Sequence, residues 1–110
     1  MNLPAPADCL DMSEVRANID RIDDKIIALL TRRVRCVERA AALKAASGMA
    51  ARIDERVREV LERVEAGARE HGLPVDLAVP LWRGIVEWSI AHETRLMTGG
   101  DPSNVGGSNG

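Results

Sequence analysis

The chain has no Phe and no Tyr, and its only aromatics are two Trp. Any core it builds must be aliphatic, and there are too few ring faces for stacking single-stranded nucleic acid. A basic excess is also missing. Fifteen Lys and Arg stand against 17 Asp and Glu, a formal net charge of −2, which argues against nucleic acid as a partner. No apolar run approaches the roughly 18 residues of a membrane span. The opening MNLPAPADCLDM lacks the basic-then-apolar order of a signal peptide. Cysteine is scarce, at Cys9 and Cys36, and no Cys/His spacing resembles a metal site. Both are expected to be reduced thiols of a cytoplasmic protein that uses no metal and no cofactor. Strand-type alternation and internal repeats are absent. So are a Ser/His/Asp or Cys/His arrangement, a Gly-rich phosphate loop and a glycosidase-like carboxylate pair.

What remains is helical. The 110 residues are 45% hydrophobic and 29% charged, the balance of amphipathic helices in one small domain. The chain is organised around the stretch from Asp11 to Gly48, which reads as one long helix. Asp11 and Glu14 have capping-box spacing, and Gly48 stands where a helix closes with positive φ. Val15, Ile19, Ile22, Ile26, Leu29, Val37 and Ala40 recur at steps suited to one buried face.

Around this helix the chain divides into an extended leader over residues 1–10, a helical domain over 11–97, and a Gly/Ser/Asn-rich disordered tail over 98–110. A second helix is predicted from Asp54, as N-cap, to His71, with His71 capping its end and Gly72 closing it. A third is capped by Asp76 and runs to about Met97. Pro80 falls near its start, where a missing N–H costs little. The second and third helices are roughly half the length of the first. A single copy would leave part of the long helix uncovered, so a twofold homodimer is expected.

Two cations lie on the apolar face of the long helix. Arg33 falls between Leu29 and Val37, and Lys44 follows Ala40 by four residues. Eleven residues at about 100° each bring them back to within roughly 20° of one meridian. Charges on an inward face are costly unless they meet a counter-charge or snorkel to water. Two in register favour a site for a compact anion. The third helix has the complementary oddity. Trp82, Val86, Ser89, Glu93 and Met97 share a face, placing a hydroxyl and a carboxylate among large apolar groups. Glu93 reads either as an edge residue paired with Arg83 or Arg95, or as a partly buried acid able to donate a hydrogen bond. His92 is expected to point outward and both Trp to fill the core. Inward Arg, Lys, Ser and Glu without a nucleophile suit the binding of a polyanion, or a reaction driven by shape and electrostatics.

These residues also carry a resemblance. Arg16 just ahead of Ile19-Asp20-Arg21-Ile22-Asp23, then Arg33, Lys44, the run DERVREVLERV and the closing IVEWS helix are similar to the AroQ-type chorismate mutases over about residues 11–97. The leader ending in Asp8-Cys9 resembles the branch holding isochorismate-pyruvate lyase and 4-amino-4-deoxychorismate mutase. The resemblance implies an intertwined all-α homodimer that rearranges chorismate, a small dicarboxylate, to prephenate. Arg33 and Arg56 would clamp carboxylates and Arg16 would reach into the partner's site. Lys44 would donate to the ether oxygen whose bond breaks, Ser89 would stand near a carboxylate, and Glu93 would be the second donor. Glu93 takes a place where the family often has Gln, so activity is expected to fall as pH rises. Ile53 and Val57 replace the acids that bacterial mutases carry around the Arg of the second helix, which keeps the lyase as second reading and the aminodeoxychorismate mutase as third. A non-catalytic helical dimer is the reading from another class.

Overall fold

The computed structural model describes residues 3–99, and every element among them is helical. A short 3₁₀ turn spans Pro6–Asp8 within the predicted leader. It is followed by α1 (Met12–Ser47), α2 (Asp54–His71) and α3 (Val75–Met97). Most of the predicted tail, from residue 100 on, lies outside the described residues. None of the described helices is long and apolar enough to cross a membrane.

Local chemistry sets the helix ends. The Glu14 N–H donates to Asp11 Oδ1 at 2.9 Å, and the Leu10 N–H donates to Glu14 Oε1 at 3.0 Å. This reciprocal bonding satisfies two donors that the first turn would leave open. At the other end Gly48 takes φ +74° and the Met49 N–H returns to the Lys44 carbonyl at 2.9 Å. Gly72 ends α2 in the same way, with Leu73 N–H on the Ala68 carbonyl at 2.8 Å. His71 Nδ1 lies 2.9 Å from the Gly67 carbonyl and caps that turn as expected. A Cβ added at Gly48 would meet nothing within 4 Å. Gly48→Ala is therefore expected to lose only the left-handed backbone preference, about 1 kcal/mol of stability, measurable by urea denaturation.

Three details differ from the sequence expectation. The residue before α2 is Ile53, with φ −123°, so Asp54 is inside the first turn rather than capping it. Asp76 likewise lies inside the first turn of α3, after Pro74. Both carboxylates still favour the positive end of their helix. Pro80 falls inside α3 rather than at its free-N–H start, because bonding already begins with Leu77 and Ala78 on the Pro74 carbonyl. It removes one backbone hydrogen bond.

The chain falls into two compact units, one up to Cys36 and the other from Val37 onward. In the first unit the leader is tied to α1 by the Asn18 amide, which donates to the Pro4 carbonyl at 3.2 Å. Asn18 is the one buried side chain among the described residues of this unit. The apolar face read from the sequence is open to solvent here: Ile19 is 49% exposed, Ile22 37%, Ile26 49% and Leu29 63%. In the second unit α2 packs on α3, and its buried apolar residues are Ala41, Ala68, Ala78 and Val86. Small side chains let helix backbones approach closely. Trp82 is half-buried, whereas Trp88 is exposed rather than a core filler.

Candidate functional site

Lys44 occupies the last turn of α1, where a cation suits the helix end. Its four-carbon stem carries the ammonium to α3, where Nζ donates to Glu93 Oε1 at 2.7 Å. The same Nζ donates to the Ala51 carbonyl at 2.8 Å. The reversal at Gly48 turns the chain so that this carbonyl comes back over the end of α1. Two of the three N–H donors of the ammonium are engaged by these contacts, leaving one for a ligand.

Glu93 is buried at 6% exposure, on the same face of α3 as buried Ser89 and Val86. It is therefore an inward acid and not an edge residue paired with Arg83 or Arg95, and its partner is Lys44. The Ser89 hydroxyl donates to the Ile85 carbonyl of its own helix at 2.7 Å. Burying a cation and an anion together is costly, and direct contact with a second acceptor on the ammonium offsets that cost. The result is a positive group fixed in place and shielded in part from solvent. Such a group stabilises negative charge that develops on a bound molecule far better than a solvated lysine does.

Arg56 is exposed, and its guanidinium pairs with Glu59 one turn along α2. Arg33 is half-buried and engaged by a neighbour, and Arg16 is exposed; both belong to the first unit, on α1. The structure thus brings Lys44 and Glu93 together. Ile53 and Val57, standing in place of acids, are half-buried. Among the described residues no group of three His, Cys, Asp or Glu is placed to hold a metal ion. Cys9 and Cys36 are both free thiols.

Two further contacts were not legible in the sequence. Arg52, in the loop after α1, pairs with Glu87 on α3 and lies 3.6 Å from Asp54. The hydrogen bond that Arg52 donates to Glu87, and then the Glu87 charge, raise the Arg52 pKa above its ordinary value. This exposed pair holds the loop that supplies Ala51. The second contact concerns His92, which does not point outward. Its ring stacks on Trp88 with centroids 4.7 Å apart, and its Nε2 lies 3.0 Å from Glu38 Oε2 on α1. Neither pairing has a local sequence signal, because the partners are 35 and 54 residues apart.

Comparison with known proteins shows the family of the chain. The family model for chorismate mutase type II matches residues 15–94. The chain is 34% identical to an isochorismate pyruvate lyase of Pseudomonas aeruginosa over 93 residues, covering 84% of this chain and 91% of that protein. It is 28% identical to a bifunctional chorismate mutase/prephenate dehydratase of Aquifex aeolicus, over 78% of this chain and 25% of that longer protein. A chorismate mutase of Methanocaldococcus jannaschii is 25% identical over 78% of this chain and 87% of its own length. No solved structure gives a significant match. With both Lys44 and Glu93 inside the matched span, the chain belongs to the chorismate mutase type II family.

Proposed function

We propose that this chain is a chorismate mutase of the cytoplasm, converting chorismate to prephenate. The observation that carries the reading is the part-buried ammonium of Lys44, held on buried Glu93 with a donor to spare. In this rearrangement the ether C–O bond breaks as a C–C bond forms within one molecule. No nucleophile is needed, and negative charge grows on the ether oxygen. Lys44 donates to that oxygen. Arg33 and Arg56 take the two carboxylates in fork geometry, and Ser89 stands near a carboxylate. For Arg56 this means releasing Glu59, an exposed pairing of small energetic weight.

The active form is a homodimer. The first unit buries almost nothing of its own, and it exposes four large aliphatic residues along one face of α1. A contiguous apolar face of that kind marks an interaction surface, and a second copy supplies a matching one by twofold symmetry. Arg16 then serves the partner's site.

Glu93 accepts from Lys44 in the ligand-free chain and holds the ammonium in place. A carboxylate can only accept, whereas an amide in the same place also donates. Glu93→Gln is therefore expected to raise kcat/KM by at least about tenfold through a second donor to the ether oxygen. A Gln variant no faster than the parent would show Glu93 to be only a support for Lys44.

A second reading is favoured by two observations. The relative matched at 34% identity is a lyase, and Ile53 and Val57 supply no carboxylate for the ring hydroxyl of chorismate. Isochorismate carries that hydroxyl on another ring carbon, and its cleavage to salicylate and pyruvate is also pericyclic. The deciding experiment offers chorismate and isochorismate separately. It follows loss of substrate absorbance and identifies prephenate, or salicylate plus pyruvate. Turnover of chorismate to prephenate is expected. No turnover of either, with tight binding of a bicyclic transition-state mimic, would leave a binding module.

A further inference from the structure

The geometry points to His92 as a positioning residue, which sets how α1 and α3 meet so that Lys44 reaches Glu93. The close backbone packing of the second unit is between α2 and α3. At the end of α1 small Ala41 is buried, and the long side chains of Glu38 and Lys44 reach across to α3 and fix the register between the two helices. One ion pair, Lys44–Glu93, allows roll and slide about itself. A second contact at another height and another angle removes both. Glu38 lies six residues before Lys44, about 9 Å along α1 and roughly 120° around it. His92 is the neighbour of Glu93 on α3, and it meets Glu38 at 3.0 Å.

The imidazole is built to be rigid. Trp88, one turn earlier, stacks on its face at 4.7 Å and 20°. Arg95, one turn later, has a guanidinium nitrogen 3.2 Å from Nδ1. A guanidinium only donates, so Nδ1 accepts, and the ring proton sits on Nε2 and is donated to Glu38. The His92 side chain is 12% exposed, so little water competes for this bond. A ring clamped on both sides by its own helix has one direction left to reach, and that direction sets the approach of α1. Misplacing a reacting group by about 1 Å costs up to about a hundredfold in rate, so the expected consequence appears in turnover before it appears in folding.

The inference rests on Lys44 being the catalytic donor, and the test separates the two. His92→Leu keeps the stacked bulk but loses both hydrogen bonds, whereas His92→Gln offers a donor to Glu38 and an acceptor to Arg95. In the full-length protein, kcat of His92→Leu is expected to fall about tenfold with KM within about twofold, and His92→Gln to recover to within about threefold. Glu38 has a further neighbour, so Glu38→Leu should be at least as slow as His92→Leu, and the double variant no slower than Glu38→Leu alone. Independently of activity, the ¹⁵N spectrum of the ring should show the Nε2–H tautomer. The Lys44 ammonium resonance, slowed in exchange by Glu93 and Ala51, should vanish in His92→Leu and return in His92→Gln. A Lys44 resonance unchanged in His92→Leu, losses that add in the double variant, or failure of Gln to rescue would overturn the inference. Absence of turnover in the parent protein, with the Lys44 resonance still lost in His92→Leu, would overturn the catalytic reading and leave the positioning role standing.

Discussion

Lys44→Ala is expected to lower kcat/KM by about 10²–10³-fold, with most of the loss in kcat. The ammonium contributes most in the transition state, when the ether oxygen gains charge, and removal of one such preorganised donor typically costs about 3 kcal/mol of barrier. The variant also leaves Glu93 buried without its cation, so a loss of about 2 kcal/mol in folding stability should accompany it. Lys44 is partly exposed, with 19% of its side chain accessible, which keeps that figure below the cost of breaking a fully buried pair. The double variant Lys44→Met with Glu93→Gln separates the two effects. No unpaired charge remains in it, so thermal unfolding should return toward the parent while turnover stays low. A Lys44→Ala protein that retains parental turnover would remove the ammonium from the chemistry altogether.

Replacing Ile22 and Ile26 by Glu is expected to abolish the proposed homodimer and, with it, more than about 99% of activity. These residues are half-exposed in the single chain and lie on the apolar face of α1. A twofold interface doubles the effect of every substitution, because each occurs once per copy. Two carboxylates per chain would then face an apolar surface, and burying an unpaired charge there costs several kcal/mol. Sedimentation velocity should show the single-chain mass. A complementary experiment mixes two inactive proteins, Arg16→Ala and Lys44→Ala, under exchange conditions. If Arg16 serves the partner, each hybrid dimer has one complete site, and about a quarter of parental sites should be restored at equal mixing. If Arg16 serves its own site, every site in the mixture lacks one group and no activity returns. A charged variant that still sediments as a dimer would mean that another surface joins the copies.

The limits of α1, α2 and α3 could be read from local chemistry. Asp11 with Glu14, and the glycines at 48 and 72, satisfy backbone groups through neighbours a few residues away, so their signals survive in the linear chain. The finer placement of Asp54, Asp76 and Pro80 was less legible. A cap and a first-turn residue have similar compositions, and the difference lies in one backbone angle. Periodicity likewise placed Lys44 on the apolar face of its helix and left Glu93 open between an edge and an inward position; tertiary structure buried Glu93 and joined the two.

Helical spacing by itself determined which way each side chain leaves its own helix. It carries no information on what stands opposite. That Lys44 meets Glu93 and the Ala51 carbonyl, that His92 turns toward Glu38, and that Arg52 holds Glu87 were decided only when the second unit packed. The reason is physical. Direction around a helix follows from a fixed rotation per residue, whereas a pairing between helices depends on their slide, roll and separation. In this chain those three quantities are set by the small side chains that let α2 approach α3 and by a few long polar ones that reach across to α1.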